Sequence, residues 1–437
     1  MLNARSRRAM LLPLFLLLVF PGQGAAQAAR TYTLDEVQQL AVGYYQAVGI
    51  ARAQTTQARE FERQVFAARL PSVTTQGLIT KNIVTGSFTF NDITIDILPA
   101  VDYTLSVAAV QPIFTGFRLE KGQRQAELAI DAAVTGLGIT VQDTVLAATR
   151  AYYGVLAAQD NVEISSRAVA VAQETLRTAE SLYKAGEAVE TSALRARVAE
   201  SEARRELLVA QNTVVLARQR LMLFIGVSGD FEVTRPPTTR PADTPVEDLV
   251  REGLAKRPEL KALALQRQIA SLEIERRRGE WFPTIQLEAV YQKRKATFPS
   301  SQLASVAVDA VWPLFDGGRR GAAIAGAQAV LRQSQLQEDL VRRQTEEQIR
   351  AAYIAVQTFR ASVDILRTQT EVARRNADET GRAYKVGEAT DLDVLQSNNA
   401  LTQSERQLAL TSYQFEIAIC ELQRAVGTFA ADLVPAS

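Results

Sequence analysis

Two periodicities divide this chain. Val101, Tyr103, Leu105, Val107 and Ala109 alternate with Asp102, Thr104, Ser106 and Ala108, so one face is apolar and the other mostly polar. Ser72 to Lys81 is threonine-rich and β-prone, and Gly86 to Asp92 with Ile93 to Ile97 lies between, which predicts a β-hairpin with a long tip over about 72–114. The pattern returns more plainly at about 284–314. There Ile285, Leu287, Ala289 and Tyr291 alternate with Thr284, Gln286, Glu288 and Gln292, and Val306, Val308, Ala310 and Trp312 with Ser305, Ala307 and Asp309. Strands of about nine to eleven residues cross a bilayer when tilted. The rest of the chain is helical, so the apolar face has no partner sheet. An open four-stranded sheet in lipid leaves edge N–H and C=O groups unpaired at several kcal/mol each, and spanning barrels need at least about eight strands. Several chains are therefore expected to share one barrel.

The remaining pattern is helical. Thr33 to Leu70 contains good helix formers, opens on the capping box Thr33-Leu-Asp-Glu36 and stops at Pro71, which predicts one helix. From Gly116 and again from Gly317 a helical pattern runs for about 70 residues, roughly 105 Å at 1.5 Å per residue. Val141, Ala148, Val155, Val162, Val169, Leu176 and Tyr183 recur every seventh position, with Val145 and Tyr152 beside them, predicting a left-handed coiled coil. In the later stretch Ile349, Val356 and Val363 keep the step, and Thr370 and Ala377 weaken it. Two shorter helices, about 37 and 40 residues, would stack end to end beside each long one.

The chain is one unit written twice. Tyr183-Lys-Ala-Gly-Glu-Ala188 returns as Tyr384-Lys-Val-Gly-Glu-Ala389 about 201 residues later, and Pro112/Pro313, Tyr152/Tyr353, Leu194/Leu395 and Gly226/Gly427 keep that offset. Upstream, Pro71 answers Pro283 at about 212, so the first copy carries about eleven extra residues in its hairpin. The boundaries read from this are 1–28 for a leader, 29–230 for the first repeat, 231–245 for a proline-rich linker across the outside of the rod, and 246–437 for the second repeat.

Composition narrows the chemistry. The 437 residues contain no histidine and one cysteine, which removes the commonest general base, the commonest metal ligand and any internal disulfide. No cofactor, metal site or catalytic grouping is expected, and an exported enzyme is the weakest reading. Cys420 reads as a buried apolar thiol. The net charge of +1 gives no basic excess for nucleic acid. Arg5, Arg7 and Arg8, the apolar run Met10 to Phe20 and Ala26-Gln27-Ala28 read as a secretory signal peptide, too short to span a membrane. Asp316-Gly-Gly-Arg-Arg-Gly321 lacks the Lys-Ser/Thr ending of a phosphate loop and reads as a strand-to-helix turn. In the Tyr-Lys-x-Gly-Glu-Ala repeat, C-capping explains Lys and Gly but not the following Glu187 and Glu388.

Gln111-Pro-Ile-Phe-Thr-Gly-Phe-Arg118, Trp312-Pro-Leu-Phe-Asp-Gly-Gly-Arg319 and Tyr384-Lys-Val-Gly-Glu-Ala-Thr-Asp-Leu-Asp-Val-Leu395, in a duplicated hairpin-plus-long-helix unit, resemble the TolC-type outer membrane efflux family. The resemblance covers essentially the whole mature chain. It implies a mixed α and β membrane protein: a homotrimer whose chains each give four strands to a shared transmembrane β-barrel in outer membrane lipid, above a long coiled-coil barrel of helices in the periplasm. It also implies a channel-tunnel of a tripartite efflux system in a Gram-negative outer membrane, with a periplasmic adaptor protein and an inner-membrane efflux pump as partners. Type I protein secretion has the same architecture, and a non-channel periplasmic coiled-coil protein would leave the alternating segments unexplained. By the family pattern Asp393 lines the periplasmic gate, where three copies would raise one another's pKa. Gln396 stands where a second aspartate is expected, Thr191 and Ser192 where an acidic partner is expected, and Ala389 where an arginine is expected. The expected adaptor-docking tips are Tyr183, Ala185, Gly186 and Glu187, and Tyr384, Val386, Gly387 and Glu388.

Overall fold

The computed structural model describes residues 30–91, 93–98, 100–237, 244–295 and 301–434. The expected leader, part of the linker (238–243) and the tip of the second hairpin (296–300) lie outside them. The chain opens with β1 (Arg30–Tyr32), α1 (Leu34–Tyr44) and α2 (Gln46–Ala67). The capping box forms: the Thr33 N–H donates to Glu36 Oε2 at 2.8 Å and the Glu36 N–H to Thr33 Oγ1 at 3.3 Å. The single helix expected from Thr33 to Leu70 instead breaks at Tyr45, whose backbone is extended. The reason is tertiary. Tyr45 packs on Phe224 with ring centroids 4.9 Å apart, and the Tyr44 ring covers Gly226, where a Cβ would come within 2.4 Å of it.

Next come β2 (Ser72–Lys81), the small hairpin β3 (Gly86–Phe90) and β4 (Ile93–Leu98), and β5 (Val101–Phe114). The long helix α3 (Arg118–Ala185) and α4 (Glu190–Ile225) follow, then β6 (Phe231–Val233). α5 (Val246–Lys256) and α6 (Pro258–Arg278) break at Arg257, because Pro258 disfavours helical backbone in the residue before it. β7 (Thr284–Lys295), β8 (Ser301–Val311), α7 (Arg319–Lys385) and α8 (Asp391–Val426) complete the order. Element lengths repeat between the halves: α3 and α7 have 68 and 67 residues, and α4 and α8 have 36 each. At 1.5 Å per residue the long helices are about 100 Å. No helix among the described residues is long and apolar enough to cross a membrane.

One antiparallel sheet runs in the order β2-β5-β7-β8, so the two hairpins join through β5 and β7. β2 and β8 are its free edges and are exposed along their whole length. Below the sheet, α1, α2 and α4 pack beside α3, and α5, α6 and α8 beside α7, while α6 and α8 also pack on α3. The main core joins Tyr152, Val155 and Leu156 of α3 to Leu221 and Ile225 of α4, with Val37 of α1. Tyr32 and Phe231 close it, because β1 pairs in parallel with β6. This corrects the linker reading. Residues 231–233 are not an external linker, since their Phe-Glu-Val alternation buries Phe231 and Val233. Cys420 is half-buried against the cluster of Val141, Val145 and Phe429, and burial pushes its thiol up to about 11.

The expected seams also change places. On α7, Ile349, Val356, Val363, Thr370, Ala377 and Tyr384 are all buried, so the stretch that looked weaker keeps the seven-residue step throughout. On α3 the buried line leaves the residues of the expected seven-residue step after Val155, although Leu156 and Ile164 beside them are buried. Val162 and Leu176 are half-buried and Tyr183 exposed, while Ala158, Ser165 and Ala179 are buried. α3 lies between α4 and α8 here, and small residues allow that close approach.

At the joint between sheet and rod, Gly116 (φ +66) and Gly279 meet backbone to backbone. A Cβ on Gly116 would lie 2.2 Å from the Gly279 carbonyl oxygen, and one on Gly279 would lie 2.3 Å from that of Gly116. Neither obstacle is a side chain that can rotate away. Gly116→Ala is therefore expected to destabilise the folded chain by at least about 2 kcal/mol, from steric strain and left-handed backbone together. Thermal unfolding in detergent, followed by far-ultraviolet circular dichroism, checks this, and an unchanged midpoint would contradict the close approach.

Candidate gate and docking tips

Each long helix ends in a glycine-capped turn. Gly186 (φ +77) and Gly387 (φ +78) take the left-handed conformation that an L side chain resists. The Glu187 N–H donates to the Leu182 carbonyl at 2.9 Å and the Glu388 N–H to the Ala383 carbonyl at 2.8 Å. Both tips are thus Schellman turns, in which the glutamates serve through their backbone N–H. The side chains of Ala185, Glu187, Val386 and Glu388 point to solvent. The paired tyrosines differ. Tyr183 is 45% exposed, whereas Tyr384 is 6% exposed, with its hydroxyl buried and unpaired. Burial raises the Tyr384 pKa, and the Asp391 charge raises it further.

Asp393 serves as a cap. Its carboxylate accepts from the Thr390 hydroxyl at 2.6 Å and the Thr390 N–H at 3.0 Å, and its N–H donates to Thr390 Oγ1 at 3.3 Å. Within one chain the Thr390 side-chain and backbone hydrogen bonds hold this exposed carboxyl below its ordinary range. Gln396 and Thr191 are exposed and Ser192 is buried, and the Asp393 side chain bonds to Thr390 and makes no hydrogen bond or ion pair with these residues. The carboxylate that connects the tips is Asp391, two residues earlier. Its Oδ2 accepts from Arg195 Nη1 of α4 at 3.0 Å, and its side chain is 10% exposed. Lys385 at the end of α7 lies 3.5 Å from Glu174 of α3.

Farther along the rod, Glu405 of α8 accepts from Arg374 of α7 at 2.6 Å and from Arg167 of α3 at 3.2 Å, with 13% of its side chain exposed. Arg406 of α8 donates to Glu206 of α4 at 2.6 Å and to Ser165 of α3 at 3.0 Å. Ion pairs therefore stitch the two helical hairpins together from the tips upward. Arg195, Asp391 and Glu405 leave no local signal in the sequence, because their partners across the hairpins lie 196 to 238 positions away. The box Thr390-x-x-Asp393 was visible and would have assigned Asp393 to a cap. Among the described residues no acidic or cysteine group could hold a metal.

At the base of the sheet, Trp281, Phe282, Trp312 and Phe315 are exposed, as in the aromatic girdle of a membrane interface. Trp312 Nε1 donates to the Trp281 carbonyl at 3.0 Å. The tempting loop at Asp316 is filled by its own residues: the Asp316 carboxylate accepts from the Gly318 and Arg320 N–H groups at 3.0 Å and from Arg320 Nε at 2.7 Å. Arg320 itself lies 4.2 Å over the Trp281 ring.

Comparison with known proteins gives the same architecture. The family model described as outer membrane efflux protein matches residues 24–227 and 249–428. The outer membrane efflux protein BepC of Brucella suis is 26% identical over 342 residues, covering 76% of this chain and 75% of BepC. The alkaline protease secretion protein AprF of Pseudomonas aeruginosa is 24% identical over 341 residues, covering 74% and 69%. Among solved structures, CusC superposes with a TM-score of 0.79 at 16% identity, covering 97% of this chain and 99% of CusC. VceC from Vibrio cholerae gives 0.76 at 19%, covering 91% and 96%.

The Asp393 cap predicts a pH dependence. Its folded pKa lies below its unfolded value, so the cap is intact at neutral pH and is lost as pH falls through the low carboxylate range. Hydrogen-exchange protection of the first α8 amides, corrected for intrinsic rates, should fall between pH 6 and pH 3. In Thr390→Ala, protection should already be low at pH 6. Equal protection in both proteins would remove the cap from the tip.

Proposed function

The chain belongs to the outer membrane efflux protein family, and on that premise we propose that it works as a homotrimer in which four strands per chain close a twelve-stranded barrel. Channel function and outer membrane location, with a periplasmic tunnel, come with the family. The protein belongs among transport channels and not among enzymes. The observation that carries the trimer is the pair of unpaired edges, β2 and β8. Strand direction alternates along β2-β5-β7-β8, so a neighbour's β2 meets β8 antiparallel and every edge group finds a partner. We read the two halves, 29–230 and 246–437, as products of duplication.

The mechanism is passive conduction from an inner-membrane pump and periplasmic adaptor to the exterior. The adaptor docks on the exposed residues of the two Schellman turns, and the second hairpin swings outward. Within each chain, this swing separates Asp391 from Arg195 and Lys385 from Glu174. Arg195 is 54% exposed, and such a screened pair is worth at most about 1 kcal/mol. A clasp this weak can be shifted by modest differential binding of the adaptor. Asp393, with Gln396 and Thr191 nearby on the exposed tips, faces the three-fold axis. There, repulsion between copies opposes the lowering by Thr390. A second reading, export of whole proteins, rests on the similarity to the secretion protein AprF.

Light scattering of the detergent-extracted chain should give the mass of a trimer in the outer membrane fraction. A soluble monomer would overturn the barrel. In single-channel recordings Asp393→Ala should reduce cation selectivity severalfold with little change in opening. Asp391→Ala should raise the open-to-closed ratio about fivefold for each chain that opens, as loss of about 1 kcal/mol per clasp implies, and leave selectivity nearly unchanged. Accumulation of an unexported protein in a deletion strain would favour the secretion reading.

A further inference from the structure

The four-stranded sheet sorts its charges by face. Register aligns Ile79, Tyr103 and Lys295 in one row across β2, β5 and β7, and Gly77, Leu105 and Lys293 in the next. Lys81 stands beside Val101 on the same face. That face is otherwise apolar through Ile285, Leu287, Ala289 and Tyr291, and it carries no carboxylate in any of the four strands. The acidic residues, Asp102, Glu288 and Asp309, all fall on the opposite face, by register and alternation. The fourth basic residue, Arg294, also falls there and donates to Asp102 at 2.6 Å. Its charge is matched within the chain.

Lys81, Lys293 and Lys295 are different. They are exposed, and no ion pair among the described residues involves them. They stand at the strand ends farthest from the helices, which is the outer rim of the barrel. Strand spacing puts Lys295 roughly 12 Å from Lys81 and roughly 7 Å from Lys293, within joint reach of four-carbon stems. Tyr103 and Tyr291, each about half exposed, sit among and below them, as interface tyrosines do. Three cations with no ion-pair partner among the described residues, above an apolar band and at the level of one leaflet's headgroups, fit an anionic lipid.

We propose that Lys81, Lys293 and Lys295 form a binding site for the phosphate groups of the outer-leaflet glycolipid, a bisphosphorylated lipid A. The inference rests on the barrel reading. The rim then grips lipid specifically, where ordinary snorkelling lysines would show no headgroup preference.

Native mass spectrometry of the full chain in mild detergent tests this, with bisphosphorylated lipid A, its dephosphorylated form and phosphatidylethanolamine as probes. The expected result is at least tenfold preferential retention of the bisphosphorylated lipid, falling about fivefold for each lysine changed to glutamine. The K81Q/K293Q/K295Q variant should lose the preference, K81R/K293R/K295R should keep it, and R294Q should leave it unchanged. Equal retention of all three lipids overturns the site while leaving the barrel in place. Displacement by equimolar inorganic phosphate, or loss of preference in R294Q as large as in the lysine variant, overturns it as well. Failure to retain any lipid would remove the barrel reading and this site together.

Discussion

Everything in this molecule follows from backbone groups that one chain cannot satisfy. Strands β2 and β8 each present a row of N–H and C=O groups with no partner strand among the described residues. In hydrocarbon each such group costs several kcal/mol, so the sheet is stable in lipid only when closed. In the proposed trimer, closure by identical copies would impose a common axis on the helices below, and a tunnel is what long helices build around an axis. The glycine contact at the joint fixes the angle at which the helices leave the sheet.

The rod is held differently from the barrel. Near the core, large side chains such as Tyr152, Leu156 and Leu221 fill the space between helices. Toward the tips, Ala158, Ser165 and Ala179 on α3 and Ser397, Ser404 and Thr411 on α8 let the helices approach with little apolar area buried. Ion pairs through Glu405, Arg406 and Asp391 take up the role of fixing register. Stability therefore declines along the rod, from a packed core to a screened clasp, and in the proposed opening the end that moves is the end that is least secured.

Much of this was legible in the sequence, for local reasons. Alternation at 101–109 and 284–292, the Thr33 box and the glycines at 186 and 387 are decided by residues close in the chain, and each formed as expected. What failed depended on distant partners. The break at Tyr45 needs Phe224 and Gly226, and burial of Phe231 and Val233 needs β1. The coiled-coil seam was misjudged because side-chain size stood in for burial. Thr370 and Ala377 are buried on the same seam as Tyr384, while Tyr183 is exposed despite its size. At the tip, family position pointed to Asp393, but the helix start gives that carboxylate a local partner and leaves Asp391 to reach across.

The length of α3 has a mechanical consequence. A helix of 68 residues is a lever of about 100 Å, anchored at the glycine joint where two backbones touch. A change of about 3° in its inclination displaces the far end by about 5 Å, close to one helical turn, while residues near the joint move by a fraction of an ångström. The same tilt shifts Tyr152, half-way along the helix, by roughly 3 Å, so its packing on Leu221 is kept only where α3 and α4 turn as one body.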